Sequence, residues 1–158
     1  MRALLQRVTQ ASVSVRGKDI AQIGKGLLIF LGVAAEDNSK DTEYLANKII
    51  NLRIFSDQKD RFTASAIDIG AEILVVSQFT LNAETRKGRR PSFLGAAHPD
   101  KAEELYKQFL SYLSKTELLI QTGSFGDHMT VEITNDRPVT IMLDSIDRNV
   151  PRRSLSQT

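Results

Sequence analysis

Two short runs constrain the architecture of this chain more than any other feature: Leu27-Leu28-Ile29-Phe30-Leu31 and Ile73-Leu74-Val75-Val76. A strand with one wet face alternates apolar with polar residues. A short run that is apolar throughout reads instead as a strand covered on both faces. Neither run is long enough to cross a bilayer. The chain must therefore build a sheet with material packed on each side of it.

The flanking patterns fill in that sheet. Ala11-Ser12-Val13-Ser14-Val15 alternates, as a half-buried strand does. Arg16-Gly17-Lys18-Asp19 reads as a hairpin turn, a strand follows through Ile20 and Ile23, and Gly24-Lys25-Gly26 breaks the pattern before the first apolar run. From Asp41 the period becomes helical, with Leu45, Ile49 and Leu52 on one face and Asp37, Asn38, Ser39 or Asp41 available as caps. Pro99 and Asp100 open a second helix whose core face is Ala102, Leu105, Phe109 and Leu113. Strands at Leu118 to Gln121, Met129 to Thr134 and Val139 to Leu143 close the chain. The expected fold is α+β: one strand-dominated domain, with barrel-like sheets and two main helices.

A chain of 158 residues, 41% hydrophobic and 25% charged, buries enough surface to fold without staples. It has no cysteine, which excludes disulfides, thiolate zinc sites and a cysteine nucleophile. His98 and His128 share no ligand spacing, so no metal site and no cofactor are expected. His128 beside Asp127 is the one candidate for a Ser–His–Asp arrangement, yet a histidine in a Gly-rich bend is ordinarily a turn or surface residue. There is no nucleophile elbow and no P-loop. Met1 to Arg7 carries neither a long apolar stretch nor a cleavage signal, so a cytoplasmic protein without membrane attachment is expected.

Charge is concentrated. Arg86-Lys87-Gly88-Arg89-Arg90 holds four cations and the C-terminal tail three more, Arg148, Arg152 and Arg153. Without these seven, 14 cations stand against 19 anions, so two short segments carry the basicity of an otherwise acidic body. The pentamer suits a phosphate-bearing partner, because clustered like charges repel unless something offsets them. The alternative is a solvated loop. The tail reads more simply as a loose chain end.

The second apolar run leads directly into Ser77, Gln78, Phe79 and Thr80. Strand alternation sends Ser77 and Phe79 to one face and Gln78 and Thr80 to the other, unless the chain bends there. This is either a strand end whose polar groups satisfy nearby backbone, or a site. Gly123-Ser124-Phe125-Gly126 is a flexible bend carrying an aromatic, and Asn135-Asp136-Arg137-Pro138 reads as a turn before a strand, with an X–Pro bond for which cis is accessible.

Taken together and in order, these segments resemble the D-aminoacyl-tRNA deacylases over roughly residues 1–145, leaving 146–158 as a basic C-terminal tail. The resemblance rests on Ala11-Ser12-Val13 with Gly17, on Asn51-Leu52-Arg53-Ile54-Phe55, and on Val76-Ser77-Gln78-Phe79-Thr80-Leu81. It extends through Lys87-Gly88-Arg89-Arg90-Pro91-Ser92-Phe93, Gly123 to Gly126 with Met129, and Asn135 to Thr140. It implies a deacylase-like fold and a cytoplasmic homodimer that hydrolyses the ester of D-aminoacyl-tRNA, and of glycine mischarged onto alanine tRNA. Ser77, Gln78, Phe79 and Thr80 would form the catalytic floor. Phe125, Gly126 and Met129 would line the side holding the tRNA 3′-terminal adenosine. Arg86, Lys87, Arg89 and Arg90 are assigned to the tRNA backbone.

The resemblance also implies a Gly-cis-Pro dipeptide reaching in from the other subunit, where main-chain oxygens receive the substrate's α-amino group and leave no room for an L side chain. Arg137 and Pro138 occupy that position, so this chain carries a side chain where bare backbone is expected. Two readings follow: Arg137 points outward and leaves the gate intact, or its bulk narrows the pocket and alters activity. Asp127-His128 is a second departure from the usual pair before the methionine. The rival function is a non-catalytic RNA- or DNA-binding module in which Arg137 has abolished editing.

An aminoacyl ester is already activated, so oriented binding and hydrogen-bond donors at the developing oxyanion suffice in principle. The N–H groups around Phe79 and Thr80 are the expected donors. The Thr80 hydroxyl is expected to position water or the ester, not to act as a nucleophile, since no base stands beside it in the sequence.

Overall fold

The computed structural model describes residues 1–150; Arg152 and Arg153 lie outside the described residues. β1 (Arg2–Val15) ends in a tight turn with Arg16 at φ 52° and Gly17 at φ 75°, the paired left-handed residues that match strand twist in a two-residue hairpin. β2 (Lys18–Ile23) and β3 (Gly26–Gly32) both run antiparallel to β1, with Ala11 opposite Ile23 and Val8 opposite Gly26, so they form one line interrupted at Gly24-Lys25.

α1 (Ser39–Asn51) follows, capped by Asn38 in a reciprocal box with Asp41. β4 (Phe55–Ser56) and β5 (Phe62–Ala64) make a small separate hairpin, and α2 (Ala66–Ile69) is a single turn. β6 (Glu72–Ser77) lies parallel to β3, α3 (Pro99–Leu113) crosses over, and β7 (Ile120–Thr122) lies parallel to β6. β8 (Met129–Asp144) returns antiparallel along β1. The sheet curls until β2 lies near β6 and β7, giving a nearly closed barrel. Close approach of β3 and β6 depends on Gly26, where a Cβ would stand 1.8 Å from the Glu72 carbonyl oxygen.

The two apolar runs serve two cores, as strands covered on both faces must. Leu28, Leu74 and Val76 point into the barrel with Val8, Val13 and Ile23. Leu27, Ile29, Leu31, Ile73 and Val75 point outward beneath α1 and α3, against Leu45, Ile49, Leu105 and Phe109. Burying each large side chain stabilises the fold by roughly 1.5–3 kcal/mol. The buried Tyr106 hydroxyl donates to the Val75 carbonyl at 2.9 Å, tying α3 to β6, and burial pushes its pKa well up.

The structure adds one element to the expected two main helices and corrects two further expectations. A third helix, α2, appears beside the two main ones; at one turn it is too short to show a period. Met129–Thr134 and Val139–Leu143 are not separate strands but the two ends of β8, because β1 is long enough to pair with both. Asn135-Asp136-Arg137-Pro138 is accordingly part of a bulged stretch inside a strand: Gln6 faces Thr140 and Val8 faces Asn135, so residues 136–139 stand opposite Arg7 alone. Beyond β8, Ser145–Asn149 forms a 3-10 turn, and the Arg148 Nε donates to Asp41 Oδ1 at 3.0 Å.

Candidate active site

The C-terminal ends of the parallel strands β3, β6 and β7 lie side by side, which is where sheets of this kind usually expose their reactive edge. At Ser77 the chain leaves β6 and winds into a 3-10 helix, Phe79–Asn82. Strand alternation therefore stops, and Gln78 and Thr80 meet: the Gln78 amide donates to the Thr80 hydroxyl oxygen. The Gln78 N–H donates to Leu31 O at 2.8 Å, and its carbonyl accepts from the Leu81 N–H at 3.2 Å. The Phe79 and Thr80 N–H groups open the helix, so neither has an acceptor within it. Neither has another acceptor among the described residues.

Glycine makes this turn possible. A Cβ on Gly32 would stand 2.8 Å from Gln78 O, 3.0 Å from Leu81 Cβ and 3.2 Å from Asn82 Nδ2. Buried Asn82 holds the turn from behind by donating to Val33 O at 3.0 Å. Phe79 is 58% exposed and meets the edge of Phe93 at 5.1 Å between ring centroids.

The second wall follows β7. The Gly123 N–H donates to Val75 O at 2.9 Å, and the Met129 sulfur sits 2.7 Å from where a Gly123 Cβ would be. Phe125 turns inward, with its ring 5.6 Å from Tyr106, whereas Gly126 is exposed at φ 79°. The Ser124 hydroxyl donates to the Asp127 carboxylate within this bend. His128 is exposed and makes no side-chain hydrogen bond or ion pair among the described residues. His98 stands apart, 3.5 Å from Asp100 at the start of α3. No Ser–His–Asp relay is formed among the described residues.

The basic pentamer is the tip of a loop that leaves the 3-10 helix and returns to Phe93. Glu84 and Ser92 pair across its base at 2.8 and 2.9 Å, and Gly88 turns it at φ 73°. Arg86 folds back onto Glu84 with a 2.8 Å Nε–Oε2 bond, which holds the Glu84 carboxyl below its ordinary pKa. Lys87, Arg89 and Arg90 are exposed and have no ion-pair partner among the described residues.

Arg137 and Pro138 are not brought to Ser77–Thr80 of the same chain. The bulge sits level with Arg7 and Leu27, whereas Ser77 pairs with Leu31. That separation is roughly 13 Å along the strands, with three strand spacings of about 4.8 Å across. The bond before Pro138 is trans, as are all peptide bonds among the described residues, so the cis bond that the resemblance implies is not present. Arg137 adopts φ 56°, a left-handed conformation that suits the glycine that the resemblance implies at this position.

Beneath the bulge lies a residue that sequence reasoning missed. Arg7 is 2% exposed; its Nη1 donates to Ile54 O at 2.7 Å and Ser56 Oγ at 3.4 Å, and its Nη2 to Asp136 O at 3.3 Å. Its Nε lies 3.0 Å from Asp136 Oδ2 but outside hydrogen-bonding angle, and its guanidinium sits 5.6 Å from the Phe62 ring. The available signal was a lone cation continuing the alternation of Ala3 and Leu5. Phe93, Gly32 and Asn82 gave no comparable signal.

A cleft of about 390 Å³ lies behind the Phe79–Asn82 turn, and its charges are already paired within its lining, the Met1 ammonium with Asp37, Arg2 with Asp144 and Arg148 with Asp41. Among the described residues no cluster of three potential metal ligands forms, and no helix is long and apolar enough to cross a membrane.

Comparison with known proteins gives the family and the fold. The sequence profile described as D-Tyr-tRNA(Tyr) deacylase matches residues 4–144. A D-aminoacyl-tRNA deacylase of Dehalococcoides mccartyi is 55% identical over 152 residues, covering 96% of this chain and 99% of that protein. The solved structure of a c-Myc DNA Unwinding Element Binding Protein is 44% identical with a TM-score of 0.87, covering 91% of this chain and 98% of its own. A probable eukaryotic D-amino acid tRNA deacylase, at 17% identity and a TM-score of 0.79 over 90% of this chain and 98% of its own, shares the fold.

Proposed function

The chain belongs to the D-Tyr-tRNA(Tyr) deacylase family, and from that premise we propose that it hydrolyses the ester joining a D-amino acid to the 3′ end of tRNA. Water adds to the ester carbonyl carbon, the carbon–oxygen bond to the ribose breaks, and the ribose oxygen takes the proton. Free D-amino acid and tRNA result. The reaction removes wrongly charged tRNA before translation uses it.

The observation that carries this reading is the pair of unengaged N–H groups at Phe79 and Thr80, on an exposed turn at the end of a buried strand. Donors fixed by the fold cost no reorganisation when an oxyanion develops, and one such donor typically accounts for about 10²–10³ in rate. The Gln78–Thr80 bond uses the hydroxyl oxygen as acceptor and leaves its proton for water or the ester.

The active unit is a homodimer. The separation of the bulge from Ser77–Thr80 within one chain supports a pocket completed by residues 137–138 of a second copy. Their main-chain oxygens receive the substrate's α-ammonium group and exclude L side chains. Glycine, with no side chain to exclude, is also a substrate. Phe125, Gly126 and Met129 border the terminal adenosine, while Lys87, Arg89 and Arg90 meet the RNA backbone. The protein works in the cytoplasm, where charged tRNA is found.

The test is release of amino acid from D-Tyr-tRNA and L-Tyr-tRNA by the purified protein. Selective release from the D form is expected; equal release from both, or none, overturns the reading. A DNA-binding name on the 44%-identical structure keeps a second reading in view, a nucleic-acid-binding module, for which binding without release is the mark.

A further inference from the structure

The β4–β5 hairpin and the β8 bulge are joined at two levels. Below, buried Arg7 bonds Ile54 O and Ser56 Oγ on the hairpin side and the Asp136 carbonyl on the bulge side. Above, at the surface, the Arg137 Nη1 lies 2.5 Å from Asp60 Oδ1. Both outer partners sit in left-handed backbone, Asp60 at φ 59° and Arg137 at φ 56°, and both side chains are exposed. The pair draws the guanidinium sideways onto the hairpin of its own chain.

We propose that Asp60 is a positioning residue that parks the Arg137 side chain, and so lets an arginine occupy a gate position where the family resemblance expects glycine. This rests on the functional reading in which the main chain at 137–138 faces the substrate's α-ammonium group. A guanidinium released from Asp60 would bring positive charge and bulk toward that ammonium. Like charges brought near one another repel. The parked arginine leaves the backbone at 137 as accessible as glycine would, without glycine's conformational freedom.

An Asp60→Asn exchange keeps shape and removes the charge. Asp60 is exposed on a turn, so the fold is expected to persist. In otherwise unchanged protein, the exchange should lower kcat/KM for D-Tyr-tRNA by about fivefold, the upper range for an exposed ion pair, and mainly through KM. In an Arg137→Gly background the same exchange should change kcat/KM by less than about twofold, since nothing is left to park. The difference between backgrounds should shrink in about 1 M salt. A silent Asp60→Asn exchange, or an equal loss in both backgrounds, overturns the proposal.

A second readout needs no activity. In ¹⁵N-labelled protein the Arg137 Nε–H resonance should move on Asp60→Asn, and an unmoved resonance refutes the pair in solution. Absence of D-Tyr release by the unaltered protein would instead defeat the functional reading. The two failures are thus told apart.

Discussion

The side-chain amide of Gln78 donates to the hydroxyl oxygen of Thr80, two residues along a chain that has just left its strand. The Thr80 oxygen thus acts as an acceptor within the turn, and its own proton is left to donate elsewhere. Thr80→Val, which keeps the shape, should lower kcat for D-Tyr-tRNA by about 10- to 100-fold, the usual cost of a hydrogen bond to a charged group, with little change in KM. Thr80→Ser should retain most activity. Single-turnover deacylation separates the two variants.

Gly32 supports the same turn from the neighbouring strand. Gly32→Ala forces a Cβ against the Gln78 carbonyl oxygen, and that oxygen belongs to backbone that cannot swing aside. Displacement of about 1 Å in an active site can cost on the order of 10² in rate. Activity should therefore fall much further than stability. Urea unfolding beside the deacylation assay would show the split.

Neither histidine should matter to the chemistry. His98 stands at the start of α3 beside Asp100, and His128 is exposed in the bend after β7. Replacing both with Asn should leave deacylation within about threefold of the starting rate, since neither histidine is bonded into the Ser77–Thr80 turn. A loss of several orders of magnitude would point to general-base catalysis.

Substitution of Lys87, Arg89 and Arg90 by Gln should raise KM for charged tRNA. It should also flatten the dependence of log(kcat/KM) on log[salt] by roughly 2 units if all three meet phosphate. Arg86→Gln should do less, because Arg86 is already engaged with Glu84. An unchanged slope in the triple variant would return the loop to a structural role.

Asp41 supplies an acid-sensitive contribution to stability. Burial raises its pKa, but the Asn38 N–H and the side chains of Ser145 and Arg148 outweigh that and hold it below 3.8. A carboxyl whose folded pKa is depressed stabilises the protein above its unfolded value, and loses that contribution as pH falls through the folded one. Stability should thus decline below about pH 4. In Asp41→Asn, neutral-pH stability should be lower and the acid limb flatter, measured by thermal unfolding from about pH 2 to 7.

Local pattern carried most of the fold. The turn at Arg16-Gly17, the α1 cap and the face of α3 are short-range features, and the two apolar runs declare their own burial. β8 was not legible as one strand, because Asn135-Asp136-Arg137-Pro138 has the composition of a turn; only pairing with β1 on both sides makes it a bulge. The candidate site was marked out in the sequence only as a segment, Ser77 to Thr80, and not as a shape. Nothing in four polar and aromatic residues signals a 3-10 turn, which depends on Gly32 and Asn82 and their contacts across the sheet. Arg7 was hidden for a similar reason: its partners come from residues 54, 56 and 136.

The surplus of residues opposite Arg7 has an evolutionary consequence. Each end of β8 keeps its own alignment with β1, so the loop-out between them acts as an expansion joint. A change of length within it would leave the inward faces at both ends of the ribbon where they are. The side chain at 137 is therefore accommodated on local terms, without altering the packing of the barrel's interior.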